Sequence, residues 1–345
     1  LSSKQPSEDL VITGCGGISP WGNRYEDIFK ATEGPASVPI VKNLRFGTVN
    51  DFDAAAKLGK SGLKVMNRAT RFGIGAALDC LADARLETAE IGGEIGVVIG
   101  SHLGHMDDVE EMIRTILEEG SYALSPLKAG NGGINVMAAT IGMRIGARAL
   151  NTTIHNSYTS GLDAVQYACR SLSNHYAPYI LAGGVESASR YCMEWHRING
   201  SRLAFEGAGV ILLEKRHTAL DRGVKPLGVI KAYSSRPYSG PDSISQSLAA
   251  TLKSANLGME AVDVFVGAGD GCGEPAEEQS LFELGFGGSR LSVRESMGEG
   301  LAVTGIFQIM LGVNLLQKGC RNVLIHLYAG TGGTATILLS LSDPK

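Results

Sequence analysis

Ile154-His155-Asn156-Ser157-Tyr158-Thr159-Ser160-Gly161 is the stretch on which the reading of this 345-residue chain turns. Asn151 to Ile154 reads as a short strand, and from Gly161 onward Leu162, Val165, Ala168 with Cys169, and Leu172 recur at helical spacing. The octet is therefore a strand-to-helix turn placed at a helix N-terminus. That end carries partial positive charge, and a thiol mounted on it would be acidified and nucleophilic. No thiol is there. Tyr158 stands in the middle of the turn.

Toward the N-terminus, Leu10 to Thr13 reads as a strand running into Gly14, Gly16 and Gly17 and then Ser19-Pro20-Trp21-Gly22. The glycines lack the G-x-G-x-x-G spacing of a dinucleotide turn, and no helix opens on them, so they read as a structural turn. Tyr25 to Ala31 is expected as a short surface helix and Glu33 to Lys60 as a loop-rich region with Pro35 and Pro39. A helix over Asn67 to Ala84 and a strand over Glu94 to Gly100 follow. The helix expected from His105 to Glu119 aligns Met106, Val109, Met112, Ile113 and Ile116 on one side and carboxylates on the rest. From pattern alone such a stripe is core, and lining a ligand cavity is the alternative. His102 and His105 have no carboxylate or cysteine at ligand spacing and read as loop histidines, not metal ligands.

Toward the C-terminus, Pro178 to Glu186 and Gly207 to Glu214 are continuous apolar runs, as expected of strands covered on both faces. The remainder alternates strand and helix: Leu227–Ala232, Ile244–Asn256, Val262–Gly267, Glu277–Leu284, Arg290–Val293, Leu301–Lys318, Asn322–Leu327 and Thr334–Leu341. No residue-level repeat is visible, yet the order of elements suggests two βαβ-type halves about a shared middle. Leu301–Lys318 is apolar nearly all round, and its Gln308, Asn314 and glycines favour a buried helix over a membrane span. Three further segments carry polar or glycine-rich loops: Gly267-Ala268-Gly269-Asp270-Gly271, Arg294-Glu295-Ser296-Met297-Gly298-Glu299-Gly300, and Ala329-Gly330-Thr331-Gly332-Gly333-Thr334.

Together these stretches resemble the β-ketoacyl synthases of the thiolase-like superfamily. There the turn carries Cys before Thr-Ser-Gly, and a V-T-G-x-G-x-x-S-P-x-G opening and a closing G-G-T recur. The resemblance runs from Leu10 to Leu341 and implies an α/β, five-layered αβαβα fold with halves at 10–222 and 223–345, residues 1–9 lying outside it. It places Tyr158 at the cysteine and Gly269 at the first catalytic histidine. The second histidine falls at Gly300 when the motif is anchored on Ser296-Met297, or at Glu299 when anchored on Gly305, and Glu295 or Arg294 replaces the lysine. Ser160-Gly161-Leu162-Asp163-Ala164 is closer to one branch, the chain-length factors, catalytically silent partners of type II polyketide ketosynthases that carry Gln at the cysteine; Tyr158 departs from that Gln too.

Losing cysteine and both histidines removes nucleophile and oxyanion support together, each contributing roughly 10² to 10⁴ in rate. The resemblance then implies a heterodimer in which a Cys-His-His ketosynthase condenses acyl groups delivered on the phosphopantetheine of an acyl carrier protein. This chain, with no cofactor of its own, would shape the acyl tunnel through Met106, Val109, Met112, Ile113, Ile116 and Lys128, the last at the segment that crosses to the neighbouring subunit. Two other classes stay open. An enzyme would use Ser157 or Cys272 as acyl acceptor, and a scaffold would only dock the carrier protein.

Composition narrows the field. Thirty-one Lys and Arg against 35 Asp and Glu give a net charge of −4, which points to neither nucleic acid nor a membrane surface. Six scattered cysteines with no C-x-x-C pair fit a reducing, cytoplasmic setting. The polar start, Leu1 to Leu10, lacks the apolar centre of a signal peptide.

Overall fold

The computed structural model describes residues 9–28, 40–41, 44–269, 274–329 and 332–342. Ten strands join into a continuous sheet made of two five-stranded sets. The first set comprises β1 (Leu10–Ile18), β2 (Ile95–Gly100), β3 (Asn151–Ile154), β4 (Tyr179–Glu186) and β5 (Gly207–Lys215), in the order β3-β2-β4-β5-β1. The second comprises β6 (Gly228–Pro237), β7 (Val264–Gly267), β8 (Ser289–Ser292), β9 (Asn322–Tyr328) and β10 (Gly333–Ser340), in the order β8-β7-β9-β10-β6. In each set the second strand runs parallel to the third and fourth, the fourth antiparallel to the fifth, and the fifth antiparallel to the first. The two halves thus share one topology although their residues show no repeat, and antiparallel pairing of β1 with β6 links them.

The longer helices among the described residues are α1 (Arg68–Asp83), α2 (Met106–Glu119), α3 (Val136–Ile145), α4 (Ser160–Ser173), α5 (Arg190–Ile198), α6 (Asp242–Ala255), α7 (Glu274–Glu283) and α8 (Ala302–Gln317). α4 and α8 occupy the same place in their respective halves, between third and fourth strands, and pack on one another and on β4, with α8 also against β9. α1 and α3 cover the outer face of the first set, and α6 and α7 lie outside the second. This is the expected five-layered arrangement. Its largest core surrounds the central helices, with Leu162, Val165, Leu172, Ile306, Phe307 and Met310 all buried. The apolar burial around α8 accommodates one amide because Gln308 donates to the carbonyls of Gly267 (2.7 Å) and His326 (3.2 Å). Among the described residues no helix is long and apolar enough to cross a membrane.

Several expectations are corrected. The glycines after Thr13 form no turn: β1 runs on to Ile18, and Gly16 lies so close to the backbone of Ala76 and Cys80 in α1 that a Cβ would collide with it. Asp9, expected outside the fold, accepts from the Arg216 amide at 2.9 Å and pairs with its guanidinium at 3.1 Å. Arg190–Ile198, to which the sequence reading gave no element, is the helix α5, started by Ser189 Oγ accepting from Cys192 N at 2.8 Å. The stripe on α2 is not core, since the helix has no buried residue in this chain.

Candidate functional site

The turn between β3 and α4 is held by its own hydroxyls. Asn156 N donates to Ser160 Oγ (2.8 Å), and Ser160 Oγ donates to the Ser157 carbonyl (2.6 Å). The result bends Ser157 into the left-handed region at φ 55°, a strained conformation for a residue with a Cβ. Asp163, in the first turn of α4, accepts from Thr159 Oγ1 (2.8 Å) and Asn156 Nδ2 (2.7 Å). A carboxylate thus already sits at the helix end whose positive potential would have activated a nucleophile.

Tyr158 points inward and is 7% exposed. The Trp195 indole of α5 meets its ring edge-on with centroids 5.0 Å apart, and the Arg294 guanidinium lies 4.9 Å from its centroid. Arg294 is itself buried and forms an ion pair with Glu299. Glu299 Oε1 in turn accepts from Leu301 N (2.7 Å) and Thr304 Oγ1 (2.8 Å), so the same carboxylate caps α8. Burial pushes the Glu299 carboxyl above its ordinary pKa, opposed by Arg294 and these hydrogen bonds. Tyr158, Arg294 and Glu299 form a continuous buried stack where a thiol and an imidazole were sought.

The two anchors for the second histidine position are separated by this geometry. Glu299 faces the Tyr158 site through Arg294, whereas a Cβ on Gly300 would run into the Phe205 ring. Gly269 is left-handed at φ 64°, and a Cβ there would come within 2.6 Å of Ser292 Cβ. Of the two lysine replacements, Glu295 is exposed while Arg294 enters the site.

Three histidines surround the stack. His196 is fully buried, its Nδ1 is 3.1 Å from Ser201 Oγ, and burial followed by the Arg294 charge holds it down at about 3. His102 stacks on His155 with centroids 5.3 Å apart and meets Trp195 at 5.5 Å; burial first, then His155, lowers it to about 4. It lies in the loop before α2, as read, with its ring packed against His155 and Trp195. The backbone amides of His102 and Leu103 donate to Glu186, whose carboxyl is raised by burial to about 8. Among the described residues no group of three or more His, Cys, Asp or Glu could hold a metal ion.

Among the described residues Ser157 Oγ is buried without a hydrogen-bond partner, and His155 Nδ1 is engaged with the Ser101 carbonyl at 3.1 Å. No base is therefore directed at the hydroxyl. Cys272 lies outside the described residues.

Of the wall candidates, Met112 and Lys128 line one cavity of about 160 Å³, together with Thr115 and Leu124. The Lys128 ammonium is anchored to Glu111 at 2.7 Å, leaving its stem along the cavity. Met106 and Val109 are half-buried, and Ile113 and Ile116 are exposed. Sequence reasoning missed Trp195 and His196 because nothing local marks a helix that returns over the turn; Arg294 was visible only as a replaced lysine.

A model of the β-ketoacyl synthase N-terminal domain matches residues 7–194, more than half of the chain. The chain belongs to the β-ketoacyl synthase family. It is 29% identical over 248 residues to the 3-oxoacyl-[acyl-carrier-protein] synthase 2 of Vibrio harveyi, an alignment covering 63% of this chain and 60% of that enzyme. Two solved structures superpose with TM-score 0.88. One is a type II PKS acyl-carrier protein in complex with its ketosynthase bound to the hexaketide (20% identity, 98% of this chain and 100% of that one). The other is the ishigamide ketosynthase/chain length factor (19% identity, 98% and 100%). At these identities the superpositions establish the fold, and within this β-ketoacyl synthase fold the Tyr158-Arg294-Glu299 stack is a feature of this chain's own residues.

Proposed function

We propose that this chain is a non-catalytic subunit of the chain-length-factor type. In this reading it pairs with a Cys-bearing ketosynthase of a type II polyketide system and shapes the tunnel in which that partner extends the acyl chain. The observation that carries it is the buried Tyr158-Arg294-Glu299 stack. An aromatic ring occupies the nucleophile's place, and a carboxyl group paired with Arg294 stands where a hydrogen-bond donor to a developing oxyanion is required. The cavity beside α2, with Met112 at one wall and Lys128 at another, supports a role in limiting chain length. Exposed Ile113, Ile116 and Leu117 on α2 and a β3 paired on one side alone support the existence of a docking subunit. The partner's condensation would draw on an acyl carrier protein; this chain contributes walls and no reacting group.

The test is reconstitution with a Cys-bearing type II ketosynthase and a malonyl-loaded carrier protein. Product is expected only when both subunits are present, and Met112→Ala or Lys128→Ala should lengthen it. Elongation by this chain alone, or rapid stoichiometric acylation of Ser157 seen by intact mass, would overturn the reading.

A further inference from the structure

Resting on the pairing proposed above, a narrower question is which surface the docking face accepts. α2 carries six carboxylates, Asp107, Asp108, Glu110, Glu111, Glu118 and Glu119, against the single guanidinium of Arg114, a net charge of −5. Among the described residues two are in ion pairs with cations from elsewhere, Glu111 with Lys128 at 2.7 Å and Glu110 with Arg190 at 3.4 Å, and Arg68 lies near enough to Asp107 to feel its charge. Asp108 accepts from the neutral amide of Asn67 at 2.7 Å. Asp107 is pushed up to about 6, by burial first and then by Asp108, Glu110 and Glu206, the mark of carboxylates crowding one another.

The acids border the apolar face. Glu110 lies three residues before Ile113 and Glu119 three after Ile116, neighbours on the helix surface, and Leu117 is 79% exposed between them. Tyr122 and Leu127, in the segment that follows, extend the apolar area. Among the described residues β3 pairs only with β2, α3 packs against both strands, and the turn Gly130–Gly132 contacts both α2 and α3. Strand addition at β3 uses backbone groups and is blind to sequence. Discrimination between partners therefore falls to the side chains around the apolar patch.

We infer that this face excludes a second copy of the same chain and selects a different protein whose facing surface is basic. An isologous contact brings a patch against itself, so an acidic rim would meet an acidic rim. Like charges brought together at an interface repel, whereas a lysine- or arginine-bearing rim gains both affinity and encounter rate. The apolar centre supplies the adhesion and the carboxylates supply the choice.

The experiment compares wild type with Asp107→Asn/Glu118→Gln/Glu119→Gln and with Asp107→Lys/Glu118→Lys/Glu119→Lys by sedimentation velocity. Among the described residues these three side chains are in no ion pair within 4 Å, although the Arg68 guanidinium lies near enough to Asp107 to feel its charge. At low ionic strength, about 0.05 M, wild type should stay monomeric and the neutralised variant should self-associate at least about tenfold more tightly; near 0.5 M salt the two should converge. Wild type mixed with the lysine variant should form a 1:1 complex at low salt that dissociates at high salt. Leu117→Glu added to the neutralised variant should abolish its self-association, locating the contact on α2. A salt-insensitive wild-type homodimer, no difference between wild type and the neutralised variant, or no complex with the lysine variant would each overturn the inference. Product formation with a Cys-bearing synthase is scored separately, so the tunnel role can fail while the charge selection stands, and the reverse.

Discussion

Arg294 and Tyr158 face one another across the degenerate site, guanidinium carbon 4.9 Å from ring centroid, although 136 positions separate them in sequence. The cation is buried, and its charge is met by Glu299 on one side and the ring face on the other. Arg294 therefore links both halves of the molecule, because Tyr158 lies just before the central helix of the first and Glu299 just before that of the second.

Breaking that pair at one end leaves a buried charge. Glu299→Ala should destabilise by about 3–5 kcal/mol, because Arg294 loses its counter-ion and α8 its cap. Arg294→Met/Glu299→Gln should recover most of the loss, since neither replacement is charged and Gln can still accept from Thr304. Urea unfolding of Arg294→Met, Glu299→Gln and the double completes the cycle, and additive losses would mean that the pair is not coupled.

A thiol alone should not restore chemistry. Tyr158→Cys places sulfur at the helix start, but Glu299 and Gly269 offer no imidazole to support an oxyanion. Decarboxylation and elongation of malonyl-carrier protein should stay at background for the isolated variant. Removing the ring also opens a cavity, with a loss of about 3–5 kcal/mol expected on the scale of aromatic truncations. Measurable turnover by this single variant would show that some other residue supplies the missing support.

Gly300 is set by packing. Gly300→Ala drives a methyl into Phe205, which itself stacks on Phe307 at 5.5 Å and meets Trp21 at 5.4 Å. A cost of about 1–3 kcal/mol is expected for such overpacking. Phe205→Leu in the same chain should soften it, and the thermal midpoints of the four proteins would reveal whether it does.

His196 gives the fold an acid limit. Its ring is neutral in the folded state, held at about 3 from an ordinary value of 6.5, so its contribution is full above about 6.5 and is lost as pH falls toward 3. His102, at about 4, acts in the same direction. Glu186, raised to about 8, acts oppositely: its contribution is full below about 4.5 and is lost as pH rises to 8. Between pH 7 and 5, wild type should lose about 2 kcal/mol more than His196→Gln, at about 1.4 kcal/mol per unit below 6.5. Identical pH profiles for the two would remove His196 from this account.

Periodicity located the layers and left the contacts between them open. The apolar runs of β4, β5 and α8 could be read because buried elements write continuous hydrophobic stretches into sequence. α2 shows the reverse case. Its stripe has the pattern of a core helix, yet within this chain nothing covers it, since pattern records that a face is apolar and not what lies opposite. Likewise β1 was cut short at its glycines, whose cause is the close approach of α1, a neighbour distant in sequence.

What the sequence by itself determined is the order of elements, the absence of a thiol at Tyr158 and of imidazole at Gly269, Glu299 and Gly300, and the narrow list of positions where chemistry had to be sought. Those follow from local spacing and residue identity. Only the tertiary structure decided that Glu299 rather than Gly300 faces the site, that Trp195 returns to cover Tyr158, and that Arg294 stands between the halves. Side-chain direction at a helix start depends on which neighbour already fills the space, and those neighbours come from strands and helices brought together by the sheet.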